Sequence, residues 1–260
     1  MFKAYSMYEL KENKHFSGRP GPLLLIILDG IGITDKKKGN AYYLAKPETL
    51  PAIKKECIKK ELYCELQASG PAVGLLREKD MGNSEVGHNA LGAGQIYNQG
   101  AKLVDEALKS GKIFQTETWK EIESYVKKHK STVHLLGLLS NGNVHSNYSQ
   151  LIMLIDGLVD TGIPNVRIHI LTDGRDVPAK SALQWVEPLQ EKLKDIREKH
   201  AEDNFNYYIA SGGGRMYVTM DRYESDWKIV QRGWNAHVRG IVKEAELKNG
   251  YKGYYNSAKE

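Results

Sequence analysis

The 260-residue sequence predicts an α/β fold, a mainly parallel sheet with flanking helices. Three observations carry that expectation. Short continuous apolar runs alternate with segments of helical period, turn residues bound each run, and each run ends in a polar, glycine-containing cluster. The runs cover residues 23–28, 133–139, 166–171 and 207–210. Continuous rather than alternating apolarity is what a strand covered on both faces requires.

Taken in order, residues 1–21 mix Lys, Glu, His and Gly and read as a polar N-terminal extension ending at the turn Gly18-Arg19-Pro20-Gly21. They contain no apolar stretch of the kind a secretory signal needs. The run 23–28 then predicts the first buried strand, stopping at Asp29-Gly30. It is far shorter than the ~18 apolar residues of a membrane helix. Segment 46–62 has helical character, and the two cysteines, Cys57 and Cys64, lie in a Lys/Glu-rich stretch that reads as helix. Helical rise would hold them ~10 Å apart, too far for a disulfide, so a reduced, cytoplasmic protein is expected. Further helices are expected at 102–110, 117–130, 148–161 and 180–200, and the chain stops in a helix-like segment at Ser257-Ala258-Lys259-Glu260.

Charge narrows the partners. The net charge of +5 is spread along the chain, and its densest runs, Lys36-Lys37-Lys38 and Lys127-Lys128, read as solvated faces. A nucleic-acid or membrane partner is therefore not expected, whereas a small anionic substrate suits a mild basic bias. The chain is expected to be a monomer.

Ligands of open parallel sheets bind at the carboxyl ends of the strands, and the polar clusters lie there. Asp29 follows the first run and reads either as a metal- or phosphate-site carboxylate or as a turn carboxylate. Ser84, in Met81-Gly82-Asn83-Ser84-Glu85-Val86-Gly87-His88, precedes a helical segment. There the dipole and free N–H groups favour a phosphate or a developing alkoxide; the alternative is a capping serine. A serine hydroxyl is a weak nucleophile until a base or a metal activates it. His145 follows Asn141-Gly142-Asn143-Val144, Arg175 and Asp176 follow Asp173-Gly174, and Arg215 follows three glycines, with Arg222 seven residues on. Singly each reads as a surface or structural residue. Together, at successive strand ends, they form a pocket for a molecule with carboxylate and phosphate groups, which guanidinium groups bind in two-point fashion. The glycine run does not satisfy G-x-G-x-x-G and no acidic residue follows at the required spacing, so no NAD is expected.

Five blocks in order, LDGIG, MGNSEVGHNALGAG, GLLSNGNVHS, DGRDVP and ASGGGRMYVTMDRY, resemble the cofactor-independent phosphoglycerate mutase family of the alkaline phosphatase-like superfamily. The resemblance implies interconversion of 3-phosphoglycerate and 2-phosphoglycerate, a step of glycolysis and gluconeogenesis. It also implies two divalent ions, Mn2+ first, with Co2+ or Mg2+ in some members, and no 2,3-bisphosphoglycerate. It assigns Ser84 as the nucleophile that becomes phosphoserine, and Asp29 and Ser84 as metal ligands. His145, Arg175, Asp176, Arg215 and Arg222 fall to substrate binding. By the same resemblance residues 1–98 are the first part of the metal-binding phosphatase-like domain. Residues 99–260 are then most of an inserted phosphotransferase domain, incomplete at its C-terminus.

Two departures stand out. Arg215 and Arg222 are seven residues apart where many members have six. No Asp is followed four residues later by His and no Asp-His dipeptide occurs, so the family's later metal ligands are missing. The chain thus reads either as a fragment of a longer product or as a shortened, inactive phosphoglycerate-binding protein. Another metal-dependent phosphomutase of the same superfamily is the remaining alternative.

Overall fold

The computed structural model describes residues 14–96, 98–243, 247 and 253–260, in two compact units, residues 1–67 and 68–260. The first unit holds α1 (Ala41–Ala45), capped by the Asn40 side chain, and α2 (Thr49–Lys59). Run 23–28 forms no strand there: Leu23 to Leu28 are all exposed. A doubly covered strand needs neighbours on both edges and layers on both faces, and the described residues of this unit supply neither. Residues 14–21 are exposed, while the rest of the expected N-terminal extension, residues 1–13, lies outside the described residues. α2 also stops short of the expected 62, leaving Cys64 beyond its end; both thiols are free.

The second unit follows the sequence closely. Helices α3 (Ser84–Ala93), α4 (Gly100–Lys109), α5 (Glu117–His129), α6 (Tyr148–Asp160) and α7 (Leu183–Lys199) alternate with β1 (Val133–Leu139), β2 (Asn165–Thr172) and β3 (Asn206–Gly214). α8 (Trp227–Trp234) follows. The strands pair in parallel in the order β1-β2-β3. Val166, Ile168 and Ile170 of β2 and Tyr207 of β3 face a core completed by Ile155 and Leu158 of α6 and by Val186, Leu189 and Leu193 of α7. The Tyr207 hydroxyl, fully buried, donates to the Ile163 carbonyl at 2.7 Å. Residues 253–260 are turns and irregular chain rather than helix.

β3 runs four residues past the expected end, through the glycines. A Cβ at Gly212 would lie 2.7 Å from Ile170 Cγ1, and one at Gly213 2.5 Å from Val218 Cγ2. The glycines are therefore strand residues, required by close packing on both faces of the sheet. The register also shifts: Ile168 pairs with Ile209 but His169 with Ser211, which leaves Ala210 as the extra residue of a bulge.

That shift completes a hydrogen-bonded row across the sheet. His134 Nδ1 lies 2.8 Å from His169 Nε2, His169 Nδ1 2.6 Å from Ser211 Oγ, and Ser211 Oγ 2.7 Å from His237 Nδ1. Burial first, then the neighbouring His134 and His237, lowers the His169 pKa from 6.5 to about 4. Between those values the unfolded chain binds the proton and the folded chain does not. Stability is thus highest above pH 6.5 and falls as the pH drops, by about 2–3 kcal/mol once it is below 4. Urea midpoints measured from pH 7 to pH 4 should show this decline, and His169→Gln should flatten it. Parallel curves for the two proteins would refute the assignment.

Candidate active site

The carboxyl ends of the three strands converge on one buried carboxylate. Asp173 follows β2 with its side chain 1% exposed. Its Oδ1 accepts the backbone N–H groups of Gly174 (2.8 Å), Arg175 (3.0 Å) and Asp176 (3.2 Å). Its Oδ2 accepts the hydroxyl of Ser140, which follows β1, at 2.9 Å. Arg215, which follows β3, donates from Nη1 to Asp173 Oδ1 at 3.2 Å and to Asp176 Oδ2 at 2.6 Å. Burial alone would raise the Asp173 pKa. The three backbone N–H groups and the Ser140 hydroxyl outweigh it and hold the carboxyl well below the usual range.

This network brings together three of the five expected substrate residues. Arg215 is 7% exposed, and its Nε–H is buried without an acceptor. Such a donor costs free energy unless an acceptor reaches it, which makes the site receptive to an anion. His145 Nε2 lies 3.8 Å from Asp176 Oδ2, placing an imidazole at the outer edge of the same carboxylate. Arg175 shares the Asp173 turn through its backbone, while its exposed guanidinium sits 4.0 Å from Met216 Sδ. Arg222 stands apart: its guanidinium lies over the Tyr223 ring and donates to that hydroxyl at 2.9 Å.

Ser84 is the first residue of α3, and the cap is Asn83, whose Oδ1 accepts from the Val86 N–H at 3.0 Å. The Ser84 hydroxyl is thus not used in capping and is exposed at the positive end of the helix. His88 Nδ1 lies 2.7 Å from the Ser84 carbonyl and 3.2 Å from Oγ. The shorter contact makes Nδ1 a donor to the carbonyl, so this nitrogen is not free to take the serine proton.

Asp29 lies in the first unit, exposed, with Oδ1 accepting the N–H of Gly30 at 2.8 Å, as a turn carboxylate does. Among the described residues no group of three or more His, Cys, Asp or Glu side chains is placed to hold a metal ion. The described residues therefore do not by themselves fit the two-ion site that the resemblance implies. None of its described helices is long and apolar enough to cross a membrane.

Sequence reasoning named Asp173, Ser140 and Asn143 only as neighbours of other residues and passed over Asp80. Asp80 is buried, bonded to Arg77, and accepts the Asn143 amide at 2.8 Å. A signal was present for Asp173, since an Asp directly after a buried strand and before glycine is well placed to gather backbone N–H groups.

Comparisons with known proteins identify the family. The family described as BPG-independent PGAM N-terminus (iPGM_N) matches residues 104–259. A protein of Leptospira interrogans named "Probable 2,3-bisphosphoglycerate-independent phosphoglycerate mutase" is 46% identical over 253 residues, 96% of this chain and 43% of its own length. The 2,3-bisphosphoglycerate-independent phosphoglycerate mutase of Ricinus communis is 49% identical over 84% of this chain and 38% of its own. A crystal structure of Leishmania mexicana phosphoglycerate mutase at low cobalt concentration superposes with a TM-score of 0.63 at 49% identity, covering 68% of this chain and 31% of that one. This chain thus spans less than half the length of these relatives.

Proposed function

The chain belongs to the BPG-independent phosphoglycerate mutase family, and from that premise we propose that it supplies the nucleophile and the phosphoglycerate pocket of an enzyme interconverting 3-phosphoglycerate and 2-phosphoglycerate. The observation that carries the reading is the Arg215–Asp176–His145 group, held by Asp173 at the ends of three parallel strands. A substrate with a carboxylate and a phosphate suits Arg215 and Arg175, and a plain phosphatase would have no use for a pocket that retains glycerate.

In this reading the Ser84 hydroxyl gives up its proton and its Oγ–phosphorus bond forms as the phosphate ester bond to the glycerate oxygen breaks, and that oxygen takes up a proton. Glycerate stays in the pocket; its other hydroxyl loses its proton and attacks phosphoserine, the Oγ–phosphorus bond breaks, and Ser84 Oγ takes a proton back. Asp176 and His145 exchange the protons at the glycerate hydroxyls. Exclusion of water keeps the intermediate from hydrolysis. The division at residue 98, Mn2+ as the ion (the Leishmania mexicana structure is one at low cobalt concentration), no need of 2,3-bisphosphoglycerate, a monomeric state and a cytoplasmic, glycolytic setting belong to the same reading. The family match beginning at residue 104 supports the division.

Two experiments test it. A chimera in which this chain replaces the matching region of the Leptospira interrogans relative is expected to turn over both phosphoglycerates. Ser84→Ala in that chimera should abolish turnover and phosphoserine together. Phosphoenzyme in the variant would refute Ser84 as nucleophile. The 260-residue chain alone, given Mn2+, should show no turnover, because Asp29 and Ser84 are too few ligands to hold two ions. Steady manganese-dependent turnover by the chain alone would contradict that.

A further inference from the structure

We propose that Asp80 is a positioning residue that ties the Ser84 segment to the His145 loop through Asn143. The inference rests on the functional reading above only for its consequence, not for its geometry. Asp80 is buried, with Oδ1 held by Arg77 Nε (2.9 Å) and Nη2 (2.8 Å). Its Oδ2 accepts the Arg77 backbone N–H at 3.0 Å and the Asn143 Nδ2–H at 2.8 Å. Arg77 alone would satisfy the charge; the fourth bond reaches across 63 residues to the loop after β1.

Both ends of that bond are rigid. On the Ser84 side, the Asp80 carbonyl accepts the Gly70 N–H at 3.0 Å. Two residues on, Gly82 lies so close to the chain that a Cβ there would be 1.8 Å from the Ala68 carbonyl oxygen. Little slack remains before Asn83 caps α3 and Ser84 begins it. On the other side, Asn143 holds a left-handed backbone (φ 60°), with its N–H donating to the Ser146 carbonyl at 3.2 Å. Its Oδ1 accepts from Asn147 Nδ2 at 3.4 Å. The amide thus uses both its ends, and His145 lies within the turn it closes. A displacement of either segment strains the same bond, and such coupling must act in both directions. The consequence for the proposed reaction is that the nucleophile and the proton-handling His145 keep a fixed relation while glycerate changes orientation between them.

Hydrogen exchange followed by mass spectrometry tests the tie without any ligand. Asn143→Gly keeps the left-handed backbone and removes the amide. It should speed exchange of the hydrogen-bonded amides of Asp80, Val86 and Gly87 by about 10–100-fold, the loss expected for one charged hydrogen bond. Asn143→Asp should do the same by setting two carboxylates together. Combining it with Asp80→Asn reverses donor and acceptor and keeps an oxygen for the Arg77 guanidinium but not for the Arg77 N–H, so it should restore part of the protection. Unchanged exchange at Asp80, Val86 and Gly87 in Asn143→Gly, or no recovery in the reversed pair, would overturn the proposal. Titration with 3-phosphoglycerate adds the functional arm: weaker binding in Asn143→Gly and recovery in the reversed pair are expected. Failure of the unaltered chain to bind 3-phosphoglycerate would refute the functional reading instead, leaving the exchange result to decide the role of Asp80.

Discussion

Replacing Asp173 with alanine is expected to destabilise the chain by about 3–5 kcal/mol, the cost of breaking a buried ionic network by removing one partner. The loss would leave Arg215 with Asp176 alone, free the Ser140 hydroxyl and release three backbone N–H groups at once. Against a typical domain stability of about 5–15 kcal/mol, that is enough to bring unfolding within reach of mild denaturant. Asp173→Asn separates charge from shape: one amide oxygen can still accept, but the amide nitrogen meets donors, and Arg215 keeps only Asp176 as a charged partner. It should therefore cost less than alanine and still bind phosphoglycerate poorly. Urea unfolding of both variants checks the order. A loss below about 1 kcal/mol for Asp173→Ala, the range of ordinary surface changes, would show that the network does not hold the strand ends together.

Arg215→Lys should weaken 3-phosphoglycerate binding by about 10–100-fold although the charge is kept, since each lost charged hydrogen bond is worth about 1.5–3 kcal/mol. A lysine ammonium cannot hold Asp173 and Asp176 on one face and offer a second planar donor pair to the ligand. Arg19→Lys is the fitting control, because Arg19 is exposed in the first unit. Arg197, which looks equally ordinary in the sequence, is not: its Nη1 donates to the Tyr207 carbonyl at 2.6 Å and its guanidinium lies 4.1 Å from the Tyr208 ring centroid. Isothermal titration decides, and equal affinities for Arg215→Lys and Arg19→Lys would remove Arg215 from the pocket.

Much of the second unit was legible because local pattern and tertiary environment agree there. β1 and β2 match their apolar runs to within a residue, and α4 to α7 begin and end close to their expected limits. Pattern failed where an outcome depends on a distant partner. Residues 23–28 carry the composition of a buried strand, but composition cannot supply the neighbouring strands. The glycines of β3 look like a loop until Ile170 and Val218 are seen against them. The same holds at the site. Arg215, His145 and Asp176 were identifiable from type and position, whereas the organising bonds of Asp173 span 33 and 42 residues and that of Asp80 spans 63. On its own segment Ser84 read more readily as a cap, and the Asn83 side chain on the Val86 N–H decides against that.

If the ends of β1, β2 and β3 form one phosphoglycerate pocket, an NMR titration of the isotopically labelled 260-residue chain with 3-phosphoglycerate will map it. Saturable shifts confined to the amides of residues 140–146, 173–176 and 215–216, and lost in Arg215→Lys, are the predicted result. Shifts scattered over the basic surface, or equal shifts with and without Arg215, would contradict it.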